Sequence, residues 1–279
     1  MNPGGGVTAA ASDPSTALVR RDRLLIWAGI AGLAGGAWGY LVYLQRATPG
    51  MAGDRGMAGM PGMTAALGPW TATEFLFIAA MWAVMMVGMM LPAAAPVILL
   101  FAAVNRRRRE QGGVAVPTGV FLLGYLLVWG AFSVAAAVAQ GGLHAAALLS
   151  PAMRTTSPLL GGVLLIAAGI YQLTPLREAC LAHCRSPLGF FMTEWREGAA
   201  GALRMGFRHG AYCLGCCWVL MSLLFVTGVM NLLWVAAITV FVLLEKAAPA
   251  GALIGRAASW VLILAGLVVL GHAAGMTGM

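Results

Sequence analysis

Charge is scarce in this chain. Only 9% of its 279 residues are Asp, Glu, Lys or Arg, against about 25% in a soluble domain. With 61% apolar residues and a mean hydropathy of +0.87, this excludes an ordinary water-soluble fold. Segments of alternating polarity, about ten residues each, are what a membrane β-barrel needs, and none is present. No G-x-x-x-x-G-K-[ST] phosphate loop occurs, nor any Asp-rich phosphorylation segment, so the sequence gives no sign of ATP-driven pumping. No internal repeat of the inverted-repeat transporter kind stands out either.

What remains is a set of long apolar runs. Spanning a bilayer takes about 20 mostly apolar residues, and only helices satisfy their own backbone groups in lipid. Seven runs meet the description, at 24–44, 73–104, 116–140, 157–174, 211–229, 231–248 and 257–274. The expected fold class is therefore all-α, a polytopic transmembrane bundle forming one domain over 20–279. A Gly/Ala/Ser/Thr/Pro-rich tail at 1–19 is expected to be disordered. The first run is longer than the apolar core of a signal peptide and no clear cleavage site follows, so it reads as a retained helix. Its Gly32–Gly36 and Gly35–Gly39 spacings suit close helix packing.

Basic residues set the orientation. Alternating spans place 14 Lys and Arg on one side and only Arg46, Arg55 and Arg154 on the other. The expectation is an inner-membrane protein with its N-terminus inside and C-terminus outside. The net charge of +8 is then mostly this positive-inside signal; it needs no nucleic-acid partner and suits a bilayer with anionic lipid. The segment 175–210, with Phe190, Phe191 and Trp195 near Arg185 and Arg196, reads as an amphipathic cytoplasmic stretch on the inner leaflet. Glu245 and Lys246 fall near the cytoplasmic end of a span, where snorkelling to water is expected. Glu74 opens the second span as an entry carboxylate or a helix N-terminal acid.

Soft metal ligands are the abundant feature. Met81, Met85 and Met89 form an i, i+4, i+8 stripe in the second span, which Met86 and Met90 widen. Pro92 and Pro96 follow it and are able to kink the helix. His209, Cys213 and Cys216 share one helical face, with Cys217 beside them and Met221 a turn further on. Cys180, His183 and Cys184 form a second group in the preceding cytoplasmic segment, able to close a site with the first. Met57, Met60 and Met63 lie in a Gly-rich outer loop, and His272, Met276 and Met279 near the C-terminus. Thioether, thiolate and imidazole suit Cu(I) or another soft ion. All five cysteines fall in or near the cytoplasm, which keeps thiols reduced and excludes a disulfide-stapled exterior.

Other readings of the same residues stay open. Methionine fills gaps between packed helices, and buried cysteine acts as a small apolar residue. Cys213-x-x-Cys216 also fits a membrane thiol-disulfide oxidoreductase. A membrane scaffold without metal is the third possibility. The favoured one is a non-enzymatic binding protein that transfers Cu(I), with a copper donor or acceptor protein as partner.

The stretches Y-Q-L-T-P-L-R-E-A-C-L-A-H-C-R-S-P-L, R-M-G-F-R-H-G-A-Y-C-L-G-C-C-W-V-L-M, G-V-M-N-L-L-W and L-L-E-K-A-A-P-A-G between Tyr171 and Gly251, with M-W-A-V-M-M-V-G-M-M-L-P-A-A-A-P, carry a resemblance. They resemble a bacterial family labelled predicted metal-binding integral membrane proteins, some of whose members are called copper chaperones. The resemblance covers 73–104 and 171–251 and implies metal binding at those segments.

Overall fold

The computed structural model describes residues 14–47, 71–146, 148, 155 and 157–277. Apart from a single bridge residue at Thr155, its regular structure is helical: α1 (Pro14–Ala47), α2 (Ala72–Glu110), α3 (Thr118–Ala145), α4 (Pro158–Gln172), α5 (Pro175–Arg185), α6 (Pro187–Glu194), α7 (Gly198–Ser222), α8 (Leu224–Thr227), α9 (Leu232–Ala247) and α10 (Gly251–Thr277). Five helical stretches, at 21–47, 72–110, 118–145, 198–227 and 251–275, are long and apolar enough to cross a membrane. The pair α4 and α5, bent by 63° at its break, supplies a sixth if counted as one span. The remaining one of the seven expected runs is shorter than this length test requires. Residues 231–248 keep only 16 helical residues, about 24 Å of rise against a hydrocarbon core of about 30 Å.

Boundaries also move. Helix α1 begins at Pro14, inside the stretch expected to be tail; residues 1–13 lie outside the described residues. Helix α7 starts 13 residues before the apolar run at 211, because Gly201, Ala202, Met205, Gly206 and His209 continue its buried face beneath Arg204 and Arg208. Segment 175–210 is not one surface helix. Pro175 and Pro187 each open a separate short helix, as their fixed φ favours. Phe190 and Phe191 are buried in the protein, where Phe191 joins Phe101, Phe121 and Trp195 in an aromatic cluster.

Helix α2 forms the centre. A Thr71–Glu74 capping box starts it: the Thr71 N–H donates to Glu74 at 2.7 Å and the Glu74 N–H to Thr71 at 3.3 Å. Glu74 is therefore a capping acid. Arg107, Arg108 and Arg109 end the helix, matching its dipole. Pro92 and Pro96 do not break it. The missing N–H of Pro92 leaves the Gly88 carbonyl without its i+4 donor, and the Trp38 indole of α1 donates to that oxygen at 3.3 Å.

Helix α1 docks on α2 through Ile30, Ala34, Ala37 and Leu41, all buried. The close packing expected at its glycines is not there: a Cβ on Gly32, Gly35, Gly36 or Gly39 would meet nothing within 4 Å among the described residues. Small residues act elsewhere. Helices α3 and α7 touch backbone to backbone, and a Cβ on Gly206 would collide with the Phe121 carbonyl, one on Gly124 with the Leu203 carbonyl. Helices α4 and α10 pair in the same way through Gly162 and Gly266. Gly206→Leu should therefore destabilise the protein by about 3 kcal/mol or more, read as a lower thermal midpoint in detergent. Gly36→Leu, in open space, should leave the midpoint unchanged.

Candidate metal centre

The site is built on α7. Its buried face carries His209, Cys213, Cys216 and Cys217, none more than 2% exposed. Cys216 and Cys217 turn their thiols onto the Cys213 carbonyl at 3.1 and 2.9 Å. This is the one-face cluster expected from the i, i+4, i+7 spacing.

Helix α5 brings the second cysteine group to the first. It packs on α7 where Gly215 leaves room for Cys180: a Cβ on Gly215 would stand 2.8 Å from the Cys180 sulfur. Cys184, a turn later, is half-buried and packs against the same core. The Tyr171 hydroxyl at the end of α4 donates to the Gly215 carbonyl and ties the bent pair to α7. His183 is engaged differently. Its ring stacks on Tyr212 with centroids 4.2 Å apart, and its Nδ1 lies 2.8 Å from the Ala179 carbonyl.

Three residues that the sequence reading did not place at the site complete it. Lys246 of α9 puts Nζ 3.0 Å from the Cys213 sulfur. Tyr125 of α3 donates to the Met90 carbonyl at 3.0 Å and has its oxygen 3.2 Å from the same sulfur. A tyrosine hydroxyl holds one proton; with that proton on Met90, its oxygen is an acceptor for the Cys213 thiol. Met90 of α2 has Sδ 3.9 Å from the Cys217 sulfur. The thioether facing the thiols thus lies one position off the Met81–Met85–Met89 line, and Met86 stands a turn before it. All five of these methionines are buried, as is Met221.

The expected snorkelling of Glu245 and Lys246 is corrected by these contacts. Adjacent helical residues point about 100° apart, and here both directions face protein. Glu245, 1% exposed, forms an ion pair with Arg177 of α5. Arg185, at the other end of α5, donates to the carbonyls of Ala248 at 2.9 Å and Pro249 at 3.3 Å. So α9 fastens α5 at both ends and delivers Lys246 between them. Two charges in an apolar helix were the signal, since such residues face the bundle interior.

His209 sits among Phe121, Tyr125 and Phe190, at ring-centroid distances of 6.4, 5.9 and 5.4 Å. Its Nδ1 is buried and without a hydrogen-bond partner, an uncommon state for a buried polar atom. Among the described residues, no group of three or more His, Cys, Asp or Glu is arranged to hold a metal ion. The thiols face the Cys213 carbonyl, Lys246 and one another instead. The donor set still suits a soft ion: buried thiols from α7 and half-buried ones from α5, with a thioether from α2. Met57, Met60, Met63 and Met279, and the side chain of Met276, lie outside the described residues.

A family model described as PpoB2, copper chaperone, matches residues 79–269. The chain belongs to the PpoB2 copper chaperone family. The matched region includes the α2 methionines, α5, the α7 cysteines and Lys246, so all the residues assembled above lie in the PpoB2 portion. No curated protein and no solved structure matches the chain.

Proposed function

We propose that this PpoB2 protein takes Cu(I), or a similarly soft ion, as cargo in the inner membrane and passes it to or from a partner protein. The observation that carries this reading is the convergence of the buried Cys213, Cys216 and Cys217 of α7 with Met90 of α2, beside the half-buried Cys180 and Cys184 of α5. Cu(I) favours thiolate and thioether over hard oxygen ligands. Cys180, His209 and Met221 border the site and extend its ligand choice. Lys246 offsets the negative charge that thiolates would add to this interior. Met81, Met85 and Met89, with Met86, line the approach along α2, and Met57, Met60 and Met63 act as outer capture. In this arrangement the short α9 crosses as a seventh span, N-terminus inside, as the 14 against 3 basic split favours. Cysteines must lose protons to bind, so loading releases protons and weakens as pH falls.

Metal content of anaerobically purified protein tests the proposal. Wild type should carry near-stoichiometric copper, and Cys213→Ser/Cys216→Ser/Cys217→Ser should carry none while keeping its helical circular dichroism. A metal-free wild type that also refuses added Cu(I), or copper retained in the triple variant, would overturn it.

A further inference from the structure

The close approach of α1 to α2 is at Gly88, where a Cβ would stand 3.3 Å from Ala37 and 3.5 Å from Trp38. Towards the basic end of both helices they part, and a cavity of about 970 Å³ opens between them and the start of α3. Its inner walls are apolar, with Leu25 and Ile26 from α1 and Leu99 and Leu100 from α2. Its outer lining carries Arg23, Arg106 and Arg109 against a single acid, Asp22. Arg106 lies 3.6 Å from Asp22 and 3.8 Å from Glu110.

Length and charge together point to the occupant. From Pro96, at the apolar end of the lining, to Arg109 the rise along α2 is about 20 Å, of which the apolar part, Pro96 to Ala103, takes about 10 Å. One leaflet of hydrocarbon is about 15 Å deep, with the headgroup zone beyond it. A cleft that is apolar over about 10 Å and cationic over about the next 10 Å therefore matches the headgroup and upper acyl chains of one leaflet-bound lipid. Basic pockets between helices on the cytoplasmic side are suited to anionic headgroups. We propose that this cleft is a binding site for an anionic phospholipid. Its phosphate sits among Arg23, Arg106 and Arg109, and its acyl chains lie on Leu25, Ile26, Leu99 and Leu100. The site is separate from the thiol cluster, and the proposal stands whether or not copper is the cargo.

Native mass spectrometry of the full chain in detergent, titrated with phosphatidylglycerol or phosphatidylcholine, tests it. Wild type should retain phosphatidylglycerol about tenfold or more better than phosphatidylcholine. Arg23→Gln/Arg106→Gln/Arg109→Gln should erase that preference, at a few-fold per arginine. Arg21→Gln/Arg107→Gln, which removes two charges beside the cleft, should keep it. Ala102→Trp fills the cleft without changing charge and should also reduce retention, so it decides the matter if the triple variant fails to fold. Equal retention of the two lipids by wild type, or unchanged phosphatidylglycerol retention in Ala102→Trp, would overturn the site. Inorganic phosphate displacing the lipid at millimolar concentration would assign the arginines to a free anion and overturn the lipid as occupant.

Discussion

Glu245→Leu should lower the stability of the detergent-solubilised protein by about 3–5 kcal/mol, a fall of roughly 10 °C in thermal midpoint. The substitution removes one half of a buried ion pair and leaves the Arg177 guanidinium, 2% exposed, without its carboxylate. Its Nε already has no hydrogen-bond partner, so little else is at hand to offset the charge. The pair also sits against α10: a Cβ on Gly255 would run into the Glu245 carboxylate, so water has little room to enter. Arg177→Leu/Glu245→Leu should recover most of the loss, because replacing both partners with apolar groups avoids the stranded charge. Since Arg177 anchors the start of α5, the single variant should also speed maleimide labelling of Cys180 and Cys184. A Glu245→Leu protein that melts within a degree or two of wild type and labels no faster would mean that the pair does not hold α5.

The second large effect concerns affinity. Cys213→Ala should weaken Cu(I) binding by about a hundredfold or more, beyond what loss of a partner around the ligands costs. Cys213 is the sulfur on which Lys246 and Tyr125 converge. The same change takes the sulfur acceptor from Lys246 Nζ, so a lower melting temperature is expected as well. Cys213→Ala/Lys246→Met separates the two consequences: stability should return and affinity should not. Cys180→Ala, beside Gly215 at the margin of the cluster, should cost about tenfold at most. Anaerobic competition with a chromogenic Cu(I) chelator reads all four proteins, and the wild-type curve should shift to weaker binding at lower pH as protons compete for the thiols. Wild-type affinity in Cys213→Ala would remove this residue from the ligand set and centre the site elsewhere.

Helical periodicity explains what was legible beforehand. Cys213, Cys216 and His209 share a face because their spacing is local, and the methionine stripe is buried for the same reason. The partners of those faces were not legible, because each depends on how separate helices rotate against each other. Met90 rather than Met89 meets Cys217 since α2 presents that side to α7. Tyr125 lies in an apolar run, and only the α3–α7 contact allowed by Gly124 and Gly206 brings it to Cys213. Glycine spacing misled in α1 because the pattern permits close packing without requiring it; the buried side is the Ile30–Ala34–Ala37–Leu41 line instead. Hydropathy placed the start of α7 too late, since Arg204 and Arg208 mask a buried face built from glycine, alanine and methionine.

The chain has five cysteines, and the folding of α5 onto α7 gathers every one of them into a single neighbourhood. Native thiol chemistry is thereby a local reporter needing no engineered background. Any thiol alkylation rate or mercury–thiolate adduct recorded on the unmodified protein describes this one region of the bundle.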